Sequence, residues 1–286
     1  MIAETGNSRE KTMIFDTHAH YDDARFDEDR DALLLSMKEH GIGHIINVGA
    51  EMKGCRNTVS LVKKYPFLYG AVGVHPDGAP EFDEACIEEL WQMAGEERII
   101  AIGEIGLDYA YMDELDPDEA ERTKEIQKNC FSMQLALARE LRYPVFIHSR
   151  DAAADTMDMM REHTKAAKAE GSFRGGIIHC YAYSPEMAEE YVKMGYVLGI
   201  GGVVTFKNAK KLPEVVERIP LEALVLETDS PYLAPVPHRG ERNDSSLLPL
   251  VVSKIAQLKG ITEEEVIRVT EATAKRLVEA GTVSVN

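Results

Sequence analysis

The chain has 286 residues, 44% of them apolar and 28% charged, with 32 basic side chains against 49 acidic ones and a formal charge of −17 at neutral pH. That usage describes a globular protein with material for a large core, not a disordered or fibrous one, and the longest weakly polar run, 196–204, is too short to cross a bilayer. The negative balance argues against partners that need a broad basic footprint, while leaving room for a nucleic acid held by a few local arginines and bound cations.

Residues 1–12 are polar, lack an apolar signal core and precede a second methionine, Met13. They predict a disordered extension followed by one domain over 13–286. Short β-rich runs then follow at 14–17, 44–48, 68–74, 99–104, 145–148, 176–179, 196–200 and 224–227, alternating with longer amphipathic segments and with no low-complexity linker. Ile126, Cys130, Met133 and Leu137 recur at helical spacing, predicting one face of a helix that ends near Arg142, and Leu247, Val251, Ile255 and Leu258 do the same in the last third. Gly41, Pro66, Pro144 and Gly195 mark boundaries between helix and strand.

Strand and helix alternating eight times predict right-handed crossovers and a parallel sheet of the α/β class. Eight units of about 36 residues fit a closed (β/α)8 TIM barrel with loop elaborations and an additional C-terminal helix. A doubly wound open sheet is disfavoured because no Gly-rich phosphate fingerprint follows the first strand. Cys55, Cys86, Cys130 and Cys180 form no CxxC pair and predict free thiols in a reducing, cytoplasmic setting.

Barrel enzymes draw their chemistry from the C-terminal ends of different strands. Here those ends carry His18 and His20 on the first strand, Glu104 on the fourth, His148 on the fifth, His179 on the sixth and Asp229 on the eighth. His18 and His20 are two apart on an extended segment, so both imidazoles face one side. A single such histidine is an ordinary polar strand end, but four histidines and two carboxylates gathered by one barrel would have to be desolvated together. The pattern predicts a two-metal site: His18, His20, Glu104 and Asp229 around one divalent ion, and Glu104, as the bridge, with His148 and His179 around the other. Zn, Mn, Fe or Co suit mixed imidazole and carboxylate ligation, with Mg also compatible. Two divalent ions would leave the site near a formal +1, attractive to a phosphodiester. Asp229 is the expected proton acceptor for an attacking water, with Glu104 its catalytic partner.

Arg150, His238 and Arg239, with Arg242, are expected on the same rim as donors to phosphate oxygens, and Lys207 as a weaker candidate. His75 either lines the pocket or caps a turn before Pro76. Asp108 either supports a ligand or is an ordinary loop carboxylate, and Cys180, beside His179, is expected to point to the opposite face as a small buried hydrophobe.

The strings FDTHAH (15–20), GEIGLDY (103–109), PVFIHSRDA (144–152), IIHCY (177–181) and LETDSPYLAPVPHRGERN (226–243) together resemble those of the TatD-type metal-dependent hydrolases. The resemblance implies an amidohydrolase-like barrel, a two-metal site held by His18, His20, Glu104, His148, His179 and Asp229, and deoxyribonuclease activity, including 3′ to 5′ exonuclease action on single-stranded DNA. DNA ends are then the expected substrate, with no membrane association and no obligate protein partner. The chain departs from the family pattern at Asp77, where a second histidine often follows the His-Pro pair, at Ala182 and Tyr183, at Asn243-Asp244-Ser245, which lacks the usual proline, and at Thr273, where asparagine is typical. None of these is an expected ligand; Asp77 and Tyr183 bear on substrate preference. The alternatives are a hydrolase of carbon-centred esters or amides, such as an aminoacyl-tRNA deacylase or a lactonase, and a non-catalytic metal-binding protein. Barrels with a bridging carboxylated lysine need that lysine on the fourth strand, and 99–106 has none.

Overall fold

Eight parallel strands, β1 (Ile14–Ala19), β2 (Ile42–Val48), β3 (Leu68–Val72), β4 (Ile99–Asp108), β5 (Val145–Arg150), β6 (Gly176–Ile178), β7 (Val197–Ile200) and β8 (Leu224–Leu226), pair in sequence order. The structure is a computed structural model that describes residues 12–282; the extension expected at 1–12 falls outside them apart from Thr12. Helices α1 (Arg30–Ser36), α2 (Met52–Lys64), α3 (Glu84–Ala94), α4 (Pro117–Leu141), α5 (Ala153–Glu170), α6 (Pro185–Met194), α7 (Lys211–Arg218) and α8 (Leu248–Lys259) wrap the sheet, and α9 (Glu263–Gly281) follows. This is the expected (β/α)8 barrel with its extra C-terminal helix.

All eight strands form where the sequence predicts them, but their ends shift. β4 and β5 run further because their ladder continues through Gly106 with His148 and Asp108 with Arg150. Gly106 sits at φ +150°, and a Cβ there would lie 1.9 Å from His148 O, so only glycine lets the two strands meet at this point. β6 and β8 stop early, ahead of Cys180 at φ +43° and Asp229 at φ +56°, left-handed positions that end an extended ladder.

The barrel interior is apolar at its N-terminal end. Phe15, Ile46, Ala71, Ala101, Phe146, Ile177 and Val225 pack there with Ala274, Leu277 and Val278 of α9. Because α9 touches β1, β8 and β4, on opposite sides of the ring, it lies across the barrel floor.

Helix α4 buries Cys130 and Leu137 of the face its apolar spacing predicts and ends at Arg142 as expected, but its buried surface extends to neighbouring polar positions. Ile126 is 36% exposed, while Gln127 and Gln134 are buried beside Phe131 and Ala138. Each glutamine clamps one backbone unit: Gln127 accepts from Asp108 N (2.9 Å) and donates to Asp108 O (3.0 Å), and Gln134 does the same at Val74 (2.8 and 2.9 Å). Polar residues that satisfy buried backbone are invisible to a count of hydrophobic periodicity.

The seam between β8 and β1 is closed by backbone and side-chain hydrogen bonds together. Asp229 N donates to His18 O (2.9 Å) and His20 N to Ser230 O (2.8 Å), and Thr17 Oγ1 donates to Leu226 O (3.0 Å). Beneath them, the fully buried Asp16 accepts from Thr228 N (3.0 Å), Thr228 Oγ1 (2.7 Å), Ser245 Oγ (2.6 Å) and His18 N (3.2 Å). Burial pushes its carboxyl up to about 7 against the pull of these donors. Asn243 donates to Thr228 O (2.9 Å) and Tyr232 O (2.7 Å), which fixes the segment after β8. Asp16→Ala leaves several buried donors without an acceptor, so we expect a loss of roughly 2–4 kcal/mol of unfolding free energy, read as a lower denaturant midpoint; an unchanged midpoint would contradict the role of Asp16 in the seam.

Candidate metal centre

The strand ends deliver the six predicted side chains to one place. His18 Nε2 and His20 Nε2 lie 3.2 Å apart and 3.5 and 3.6 Å from Glu104 Oε2. The other Glu104 oxygen faces His148 Nδ1 at 2.9 Å and His179 Nε2 at 3.8 Å. Asp229 Oδ1 stands 3.4 Å from His20 Nε2 and 3.6 Å from His179 Nε2. Glu104 is therefore central, with one oxygen toward the β1 histidines and one toward the pair from β5 and β6.

What surrounds the cluster decides which imidazole nitrogens are free to bind an ion. His20 Nδ1 donates to Val48 O at 2.7 Å, which leaves Nε2 as the inward lone pair. His148 turns Nε2 to Asp108 Oδ2 at 3.2 Å, leaving Nδ1 facing Glu104. His179 places Nδ1 3.2 Å from Glu227 Oε1, an ion-pair contact without hydrogen-bond alignment, and leaves Nε2 facing Glu104 and Asp229. His18 Nδ1 is buried without a hydrogen-bond partner. Three inward nitrogens with their outer nitrogens turned toward oxygen atoms, beside the buried Glu104 and the half-buried Asp229, form a donor set that fits divalent ions of mixed imidazole and carboxylate preference.

Glu227 is the residue that strand-end reasoning passed over. It is fully buried, accepts from Cys180 N at 2.6 Å, and occupies space that exists only because residue 199 is glycine: a Cβ there would sit 2.0 Å from Glu227 Oε2. The signal lay in plain view, two residues before Asp229 on the same strand end. Cys180 also differs from expectation. Its left-handed backbone turns the side chain back, so that Sγ lies among the ligand-capable atoms of His179 and Asp229 instead of on the opposite face.

The electrostatics follow from crowding. Burial alone would push the Glu104 carboxyl up, but hydrogen bonds and charge from His148, His18 and His179 carry it well below the usual range. Asp229 is likewise driven up by burial and brought below the usual range by His179 and His20. Burial opposes charge on His20, yet Asp229 and Glu104 raise it to about 10. His148 and His179 rise to about 9 against the same burial, under Asp108 and Glu104 in one case and Glu227 and Asp229 in the other. His18 falls to about 4 through burial and the neighbouring His179 charge.

The rim candidates divide. His75 stacks edge-on with His148 at 4.3 Å and shares a cluster with Glu104 and His148, so it lines the cup; its Nδ1 also accepts Asp77 N at 3.2 Å, capping the turn before Pro76. Arg150 is half exposed, 3.7 Å from Asp108 Oδ2 and over the Tyr111 ring at 5.1 Å. Arg239 lies over the Phe206 ring at 4.2 Å and, among the described residues, makes no ion pair. His238 is engaged by Glu241 at 2.9 Å, and Arg242 by Asp29 at 2.6 Å. Lys207 is exposed. The Tyr183 hydroxyl hydrogen-bonds with Ser149 Oγ at 2.8 Å and accepts from Ala152 N at 3.3 Å, bracing the turn after β5.

Residues 15–279 match the family described as TatD related DNase. The metal-dependent hydrolase YabD of Bacillus subtilis is 39% identical over 93% of this chain and 98% of its own. A 3′-5′ ssDNA/RNA exonuclease, TatD of Cronobacter sakazakii, is 30% identical over 92% and 97% of the two chains. The solved structure of YjjV, a TatD homologue from Escherichia coli, superposes with a TM-score of 0.82 at 28% identity, covering 92% of this chain and 97% of that one.

Two measurements follow from the cluster. Because His20, His148 and His179 hold protons at neutral pH and ligation needs them neutral, divalent-ion uptake should release protons and weaken as pH falls below about 9; calorimetry in buffers of different ionisation enthalpy checks this, and buffer-independent heats would refute it. Glu227→Gln should lower ion affinity by about tenfold or more through loss of the hold on His179, measured by titration of the metal-free protein, with unchanged affinity counting against Glu227.

Proposed function

We propose that this chain, which belongs to the TatD-related DNase family of metal-dependent hydrolases, is a phosphodiesterase that removes nucleotides from DNA ends, acting 3′ to 5′ on single strands. The observation that carries the reading is the convergence of four imidazoles and Asp229 on Glu104 at the open end of the barrel. The Cronobacter relative's name, which specifies single-stranded DNA and RNA, supports the same class of substrate.

In this reading His18, His20, Glu104 and Asp229 hold one divalent ion, and Glu104, His148 and His179 a second. Such ions, when bound, polarise the scissile group, offset its growing negative charge and acidify water. The chain's own residues do the rest. Asp229, whose Oδ1 faces the His20 and His179 nitrogens, has a second carboxylate oxygen to take the proton of the attacking water. Its backbone bond to His18 O fixes where that acceptor points. Glu104 keeps the two histidine pairs on opposite sides of one carboxylate. Arg150 and Arg239 donate to the phosphate oxygens, and His75 lines the approach to His148.

A panel of single-stranded DNA, duplex DNA, RNA and simple esters, assayed on the metal-loaded protein, tests the assignment. Chelator-sensitive shortening of single-stranded DNA from its 3′ end is expected; hydrolysis of esters alone would move the activity to carbon-centred substrates. Asp229→Asn should reduce turnover by about 10²–10⁴-fold with an unaltered circular dichroism spectrum, and near-normal rates would remove Asp229 as the proton acceptor.

A further inference from the structure

A pocket of about 270 Å³ opens beside the metal centre, between the turn after β3 and the segment joining β4 to α4. Pro76 and Pro80 form one wall, and Tyr111, Leu115 and Ile126 another. Tyr111 is 58% exposed and Ile126 36%, so two large apolar faces stand open to water at one spot on a strongly charged surface. Asp77, Asp108 and Glu114 supply carboxylates to the same pocket.

Resting on the phosphodiesterase reading, we infer that this pocket is the subsite for an unpaired nucleobase adjoining the scissile phosphate, with Tyr111 as its stacking surface. Three features of the pocket carry the assignment. Its lining includes the Tyr111 ring and the apolar Pro76, Pro80, Leu115 and Ile126, and its volume gives room to one planar base. Its carboxylates repel phosphate and accept hydrogen bonds from amino groups on a base edge, so a nucleotide enters base first. Its inner boundary is Asp108, whose Oδ2 is 3.2 Å from His148 Nε2, while His148 Nδ1 faces Glu104; a single side chain thus separates the base from the reacting centre. The backbone of such a strand passes at Arg150, whose guanidinium lies over the Tyr111 ring and donates to its hydroxyl at 3.4 Å.

Asp77, one of the departures from the family pattern, is part of this pocket, which ties that departure to base preference. A base held in a duplex cannot enter without unpairing, so the pocket also selects single strands.

The test compares a short single-stranded oligodeoxynucleotide with the same strand made abasic at its 3′-terminal positions, using wild type, Tyr111→Ala and Leu115→Trp, which fills the cavity. Both substituted positions are partly exposed, so the fold is retained. Wild type should show a KM about tenfold lower for the base-bearing strand, and both variants should bring the ratio of the two KM values close to one. An unaltered ratio in both variants, or a wild type indifferent to the bases, overturns the subsite. A wild type that cleaves neither strand removes the phosphodiesterase reading instead. Titration with 2′-deoxycytidine, followed by protein NMR, then decides the pocket alone: saturable binding lost in both variants sustains it, and absence of binding overturns it.

Discussion

Four imidazoles pressed against one buried carboxylate keep their inward orientation only where the surrounding groups hold the rings. Glu104 is 4% exposed and lies within 4 Å of nitrogen atoms from His18, His20, His148 and His179. Rings left to themselves would rotate to satisfy their own hydrogen bonds. Hydrogen bonds to the Val48 carbonyl and Asp108 prevent this for His20 and His148, the Glu227 carboxylate faces His179 at ion-pair distance, and each of these groups comes from a strand or strand end different from that of its histidine. The inward arrangement is therefore a property of the closed barrel and not of any one segment.

The same dependence explains the polar groups buried deeper. Asp16 and its donors hold β1 to the segment after β8, which positions His18 and Asp229 relative to each other. Gln127 ties α4 to the backbone of Asp108, and Gln134 ties it to Val74, beside His75. Through these bonds a helix on the outside of the barrel sets the attitude of residues at its mouth. Buried polar networks of this kind favour one geometry because a half-satisfied alternative costs more than a fully paired one.

The architecture was legible in the sequence because the alternation of short β-rich runs with amphipathic segments is strong, and because barrel enzymes place their ionisable groups at strand ends. All six expected side chains meet in one cluster for that reason. The parts that were not legible are those in which backbone geometry overrides pattern. Cys180 was expected on the opposite face by strand alternation, yet a left-handed residue breaks that alternation and turns Sγ into the cup. The apolar spacing of α4 shows only part of its buried surface, because Gln127 and Gln134 count as polar although they lie inside. Glu227 stands in plain view two residues before Asp229, but that it turns inward behind His179 depends on the empty space at Gly199 on a neighbouring strand. The rim candidates follow from loop position alone, which does not show that His238 and Arg242 are occupied by acidic neighbours or that Arg150 and Arg239 lie over aromatic rings.

Helix α9 lies across the end of the barrel opposite the histidines, its Ala274, Leu277 and Val278 filling the space between strands. The cup is consequently a cul-de-sac. Whatever the centre acts on enters and leaves by one mouth, so a product still seated there stands in the way of the next arrival.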